Sequence, residues 1–98
     1  MEQTYLTIVG VQMSLGISIF RVNGEFHLEK DIDNNYDDEA ICVKNKDGII
    51  VGYIANSINT VSKGTKSAGR VYDTIEDNQK VRVRFIVDKR VIVEVVND

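Results

Sequence analysis

The segment Asn34-Asn35-Tyr36-Asp37 sets an aromatic ring beside a carboxylate and two amides, in a short polar stretch between apolar runs. Such a set suits ligand reading. The ring can stack on a flat partner, and the carboxylate accepts a hydrogen bond from a hydroxyl or amine. Binding groups also gather on loops that a rigid β scaffold holds in place. Asn and Asp equally bend a chain through hydrogen bonds to their own backbone, so the same residues serve as a plain turn. The residues alone allow both jobs.

Other chemistry finds little support. Nucleophilic catalysis needs a nucleophile and a base within hydrogen-bond reach, and the chain has one histidine, His27, and one cysteine, Cys42. Nothing around either resembles an activated site, so Cys42 reads as a small buried thiol and His27 as a half-exposed strand residue. No enzyme is expected. Counted from Asp31, an EF-hand needs Gly sixth and Glu twelfth, where Tyr36 and Cys42 stand. One Cys and one His cannot close a zinc site. In Gly64-Thr65-Lys66-Ser67-Ala68-Gly69-Arg70-Val71 the glycines have phosphate-loop spacing, but Arg70 and Val71 replace the required Lys and Ser/Thr. No metal or cofactor is expected. Lys66 and Arg70, with backbone N–H groups of that loop, still suit one or two phosphates. The alternative is a solvated surface loop.

The 98 residues suit one domain spanning 1–98, and 43% apolar with 28% charged residues reads as an ordinary globular protein. No apolar run approaches a membrane span, so no membrane partner is expected. Met1-Glu2-Gln3 lacks a basic-then-apolar leader pattern, and a lone cysteine gives no disulfide framework. A cytoplasmic location is the expectation. The net charge of −3 argues against coating nucleic acid by charge alone. The charge is uneven, however. Residues 1–62 hold nine acids and four bases, whereas 63–98 hold eight bases and six acids. Lys63, Lys66 and Arg70 fall in an acid-free window between Asp47 and Asp73. Because salt screens charges beyond about 8 Å, such a local patch can bind phosphate despite the overall balance.

Strand signals dominate the elements that must position these groups. Residues 5–11 are β-branched and aromatic, predicting a first strand. Residues 17–22, Asn23-Gly24 and residues 25–28 predict a hairpin with a two-residue turn. Residues 40–44 and 49–54 predict a second hairpin across Asn45-Lys46-Asp47-Gly48. Val81, Val83, Phe85 and Val87 alternate with more polar neighbours, predicting a strand with one mostly apolar face. A turn at 88–90 returns the chain into a strand over 91–96. Ser57 is placed to cap a short helix ending at Gly64, and a second short helix is allowed near 72–76. The expected fold is mostly β: a small, curved OB-like barrel with one or two short helices.

Leu28-x-x-Asp31, Asn34-Asn35-Tyr36-Asp37, Ala40-Ile41-x-Val43, Gly48 and Val51-Gly52-Tyr53-Ile54 together resemble the HIRAN domain family over roughly residues 4–62. The resemblance implies a modified OB-like barrel. In fork-remodelling helicases such domains capture the 3′ end of single-stranded DNA, and they also occur alone in small bacterial and phage proteins. It implies that Tyr36 stacks on a terminal base and Asp37 accepts from the terminal 3′ hydroxyl, with Asn34 contacting the base or shaping the loop. It also implies a phosphate contact for Tyr53, which falls where the family often has a polar-tipped ring near a backbone phosphate. Two positions depart from the pattern: Asn35 stands where the family has proline, and the first strand offers Tyr5 but no arginine.

The expectation is a non-enzymatic module binding single-stranded DNA, with Asn34, Tyr36, Asp37 and Tyr53 as reading groups and Lys63, Lys66 and Arg70 as phosphate contacts. The competing expectation is a protein-interaction module or inhibitor. Its exposed sheet edges, or an acidic face over residues 29–39 that imitates nucleic acid, would engage a partner such as a helicase or nuclease.

Overall fold

Period-two burial and turn chemistry build six antiparallel strands in the computed structural model, which describes residues 3–97. They are β1 (Tyr5–Val9), β2 (Glu25–Lys30), β3 (Ile41–Lys44), β4 (Ile50–Ile54), β5 (Gln79–Val87) and β6 (Arg90–Val95), with one short helix, α1 (Ala68–Val71). Their order round the sheet is β1-β4-β3-β2-β5-β6, and pairing of β6 with β1 closes the barrel. Leu6 and Ile8, Phe26 and Leu28, Ile41 and Val43, Val81 and Val83, and Val91 and Val93 alternate inward and fill it. Each fully buried aliphatic side chain of this kind contributes about 1.5–3 kcal/mol. The mostly β, OB-like expectation holds. Every described strand has two neighbours round the sheet, although the last residues of β5, Phe85 to Val87, pair with β6 alone.

The second predicted hairpin forms as read. Asn45 Oδ1 accepts from the N–H groups of Asp47 and Ile49 at 2.9 and 3.0 Å, and Gly48 takes φ 80°. Gly52 in β4 has a separate reason to be glycine. An added Cβ would lie 2.7 Å from Ile8 Cγ2 and 2.9 Å from the Val9 carbonyl oxygen, so only glycine lets β1 approach β4 this closely.

The first predicted hairpin does not form. Asn23 adopts the expected positive φ of 74°, but Gly24 does not, and Gly24 N–H closes onto Arg21 O, so the turn centres on Val22-Asn23 rather than on Asn23-Gly24. Residues 17–22, however, include a 3-10 turn (Ile17–Ile19) rather than a strand. Both edges of β2 are already taken, by β3 and β5, and the turn itself exchanges backbone hydrogen bonds with Val83. Ile17, Ile19 and Phe20 pack on the core instead. The first strand is also shorter than expected, because Gly10 at φ 76° turns the chain into a 3-10 turn (Val11–Met13).

Helix positions shift as well. Ser57 caps only a single turn, its carbonyl accepting from Thr60 and Val61. The helix lies at 68–71, with Ser67 Oγ accepting from Arg70 N–H, inside the segment read as a glycine-rich loop. The 72–76 stretch is a turn that continues it, with Ile75 N–H donating to Val71 O. Finally, β5 carries a register shift between Val83 and Phe85. Val81 and Val83 point into the core, but Phe85 and Val87 are exposed, 56% and 59%, so the single apolar face ends halfway along the strand. A bulge adds a residue to one strand and so reverses the alternation beyond it.

Candidate functional site

Residues 31–40 cross from β2 to β3 as a loop braced by its own side chains. Asn34 Oδ1 accepts from Tyr36 N–H at 2.8 Å and from Asp37 N–H at 2.9 Å. Those backbone donors fix the amide's orientation, which turns Nδ2 to Asp31 Oδ2 at 3.2 Å. Asp37 Oδ1 accepts from Glu39 N–H at 2.9 Å, and Asp31 N–H donates to Ala40 O across the loop's base. The turn-making role of Asn34 is thus met in full. Its consequence is that Tyr36 is held on a tied backbone with a ring that is 98% exposed.

Asn56, just beyond β4, joins this loop to α1. Its Oδ1 accepts from Gly69 N–H at 2.8 Å, which leaves Nδ2 to donate to Asp37 Oδ2 at 2.9 Å. Gly69 keeps this contact close: an added Cβ would meet Glu39 Oε1 at 2.5 Å, which the exposed Glu39 side chain could relieve by turning away, and Asn56 Oδ1 at 3.2 Å, which would press on the hydrogen-bonded amide. Each Asp37 oxygen takes one protein donor, so lone pairs remain on the carboxylate for a ligand donor.

Tyr53 belongs to the same network at its other end. It pairs with Val9 and Cys42 on the barrel's outer surface, and its hydroxyl donates a long hydrogen bond, 3.4 Å, to Asp31 Oδ2. Burial, then the Asp31 carboxylate, pushes the Tyr53 phenol above its ordinary range, so the hydroxyl stays a donor. Cys42 is buried and its thiol is likewise pushed up by burial, which makes it a poor nucleophile.

From Asn56 a groove of about 390 Å³ runs past Ser57, Ser67 and Arg70 to Lys63 and Thr65. Its floor is fixed by a buried hydroxyl. Thr7 Oγ1 accepts from Ser62 N–H at 3.1 Å and lies 2.7 Å from Thr65 Oγ1, which itself donates to Ser62 O. Lys63 and Arg70 line the groove and are exposed; Lys66, bridged to Leu6 on β1, does not line it. Among the described residues none of these three cations forms an ion pair with a carboxylate. The N–H groups of Thr65, Lys66, Ala68, Gly69 and Arg70 are all bonded within the protein. Those five N–H groups are therefore not offered to a phosphate, and the charge on the groove comes from the Lys63 and Arg70 side chains.

The structure thus brings Asn34, Tyr36, Asp37 and Tyr53 into one hydrogen-bonded unit, and sets Lys63 and Arg70 along a groove that begins at its edge. Sequence reading missed two members, Asp31 as the link to Tyr53 and Asn56 as the link to the groove. Asn56 had no local signal, because its partners lie 19 residues earlier and 13 residues later.

No family model and no curated protein sequence matches the chain. Among solved structures it is similar to the crystal structure of the HIRAN domain of human HLTF, at 20% identity and a TM-score of 0.63, covering 95% of this chain and 74% of that one. At that identity the likeness speaks for the fold, and the fold of this chain is HIRAN-like.

Proposed function

We propose that the chain acts, as one module over residues 1–98, by binding single-stranded nucleic acid without catalysing a reaction. The observation that carries this reading is the Tyr36 ring, 98% exposed on a loop whose backbone is tied by Asn34 and Asp37. A ring in water on a tied backbone buries nothing in the fold and is open to a flat partner, and base–aromatic stacking is worth about 1–3 kcal/mol. The adjoining groove offers Lys63 and Arg70 to phosphates, and Lys66 adds charge nearby. The finer form of the proposal is recognition of a 3′ end. Asp37 repels a phosphate and welcomes a hydroxyl donor, so it favours an unmodified terminus.

Fluorescence anisotropy with short single strands carrying a free or a phosphorylated 3′ end tests both forms. The expectation is salt-dependent binding that is weaker for the phosphorylated end. Equal binding to both ends removes the end-reading form; no binding at low salt, where charge effects are largest, removes the whole reading. A second reading is favoured by the exposed Asp33, Asp38 and Glu39 and by Ile32, 80% exposed, around Tyr36. This acidic, partly apolar surface suits a basic protein partner, such as a helicase or nuclease, occluded by mimicry of nucleic acid. A co-purifying basic protein without single-strand binding would support it.

A further inference from the structure

Across Lys63 from the groove lies a second cleft that the reading above does not use. It has a volume of about 520 Å³ and is lined by Tyr5, Lys63, Phe85, Asp88, Arg90 and Ile92 among others. The bulge in β5 creates it. The register shift after Val83 brings Phe85 opposite Ile92 on the outer face of β6, where Thr7 and Tyr5 of β1 lie alongside. The Phe85 and Tyr5 rings stand 6.4 Å apart at 49°, and Phe85 is 56% exposed. Val87, 59% exposed, lines the cleft beside Phe85, and a contiguous apolar surface of this kind gains from being covered by a flat partner.

The rim states what kind of ligand fits. Arg90 Nη1 donates to Ser62 Oγ at 3.1 Å, which sets the guanidinium against the same loop that carries Lys63. Two cations face one acid, Asp88, over an apolar floor. Among the described residues neither Lys63 nor Arg90 forms an ion pair with a carboxylate. Rings with cations at their edge suit a planar ligand carrying negative charge. The cleft also continues the groove, since Ser62, Lys63, Gly64 and Thr65 line both. The Thr7–Thr65–Ser62 hydrogen bonds hold that shared wall in place.

We propose that the Tyr5–Phe85 cleft is a second stacking station, which takes an internal base of the strand whose end meets Tyr36, with Lys63 and Arg90 on the flanking phosphates. The inference rests on the single-strand reading and adds a track to it: Tyr36 and Asp37, then the groove past Arg70, then over Lys63 to Phe85. A protein ligand would need no such continuity with the groove.

The test compares a thymidine trinucleotide with an octanucleotide, both with free 3′ ends, by anisotropy at low salt. Single-strand sites on OB-like barrels span about 4–16 nucleotides, so the shorter probe reaches one station and the longer one both. Phe85→Ala should weaken the octanucleotide roughly five- to hundredfold and leave the trinucleotide unchanged, while Phe85→Tyr keeps wild-type affinity. Tyr36→Ala should weaken both probes. Thermal unfolding of each variant confirms that it is folded, which the exposure of Phe85 favours. If Phe85→Ala binds the octanucleotide like wild type while Tyr36→Ala does not, the second station is wrong and the first reading stands. Equal losses on both lengths also overturn it. If wild type binds neither probe, both readings fall.

Discussion

Replacing Asn56 by alanine removes the only side chain that ties the Tyr36 loop to α1 through two hydrogen bonds among the described residues. One of them is neutral, from Gly69 N–H; the other runs to the Asp37 carboxylate. A neutral hydrogen bond contributes about 0.5–1.5 kcal/mol net and one to a charged group about 1.5–3. Both sites are part-buried, so water replaces some of what is lost. We therefore expect Asn56→Ala to destabilise by about 2 kcal/mol, the low end of the summed range. For a domain of this size that is roughly an 8–16 °C fall in Tm. Asn56→Asp is the discriminating partner. It keeps the acceptor for Gly69 N–H but sets a second carboxylate where Nδ2 lay 2.9 Å from Asp37 Oδ2. Two carboxylates that close cannot both ionise cheaply, so the folded pair binds a proton more tightly than the unfolded chain does. With the folded pKa raised, stability is fully present below the unfolded pKa and is lost as pH rises. The gap between Asn56→Asp and wild type should then be wide at pH 7 and narrow toward pH 4, measured by urea unfolding. A loss under about 0.5 kcal/mol for Asn56→Ala, or a gap independent of pH for Asn56→Asp, refutes the network as a stabilising unit.

Gly52→Ala should cost about 1–3 kcal/mol, because the Val9 carbonyl that its Cβ would meet is backbone and cannot move aside; chemical denaturation checks this. Asn34→Ala should lower stability by about 0.5–2 kcal/mol through loss of a turn-making acceptor. Tyr36→Ala, with its ring already in water, should leave stability within about 0.5 kcal/mol while abolishing most single-strand affinity. Lys63→Ala and Arg70→Ala should each reduce the salt slope of single-strand binding by about 0.7, similarly for all sequences, and Lys66→Ala, off the groove, should reduce it less, as an anisotropy titration over salt would show. The Cys42 thiol lies above its ordinary 9.0 through burial, Tyr53 above 10.0 through burial and then Asp31, and Lys44 above 10.5 through its hydrogen bond to Glu29. All three folded values are raised, so their contributions are intact at neutral pH and are lost on going alkaline. Thermal midpoints should hold to about pH 8.5 and decline beyond, with disulfide-exchange labelling of native Cys42 at pH 8 far slower than in urea.

The chain by itself determined what depends on a few neighbouring residues. Asn34 sets the Tyr36 loop by bonding backbone groups two and three residues on, and Asn45 with Gly48 shapes the β3–β4 turn in the same way. At Asn23 only the positive φ is met: Gly24 stays out of the left-handed region and the turn closes one residue early, because the chain there pairs with Val83 instead of forming a hairpin. The tertiary structure decided how strands compete for partners. Residues 17–22 lost their place beside β2 because β3 and β5 occupy both its edges once the barrel closes. It also decided which face Phe85 shows, since a one-residue slip against β6 reverses every side chain beyond it. Asn56 became the hub of the candidate site only when folding brought Asp37 and Gly69 to its two sides. Local hydrogen bonds need only the covalent chain to bring their groups together, whereas register, edge occupancy and cross-chain polar contacts exist only after closure chooses which distant segments meet.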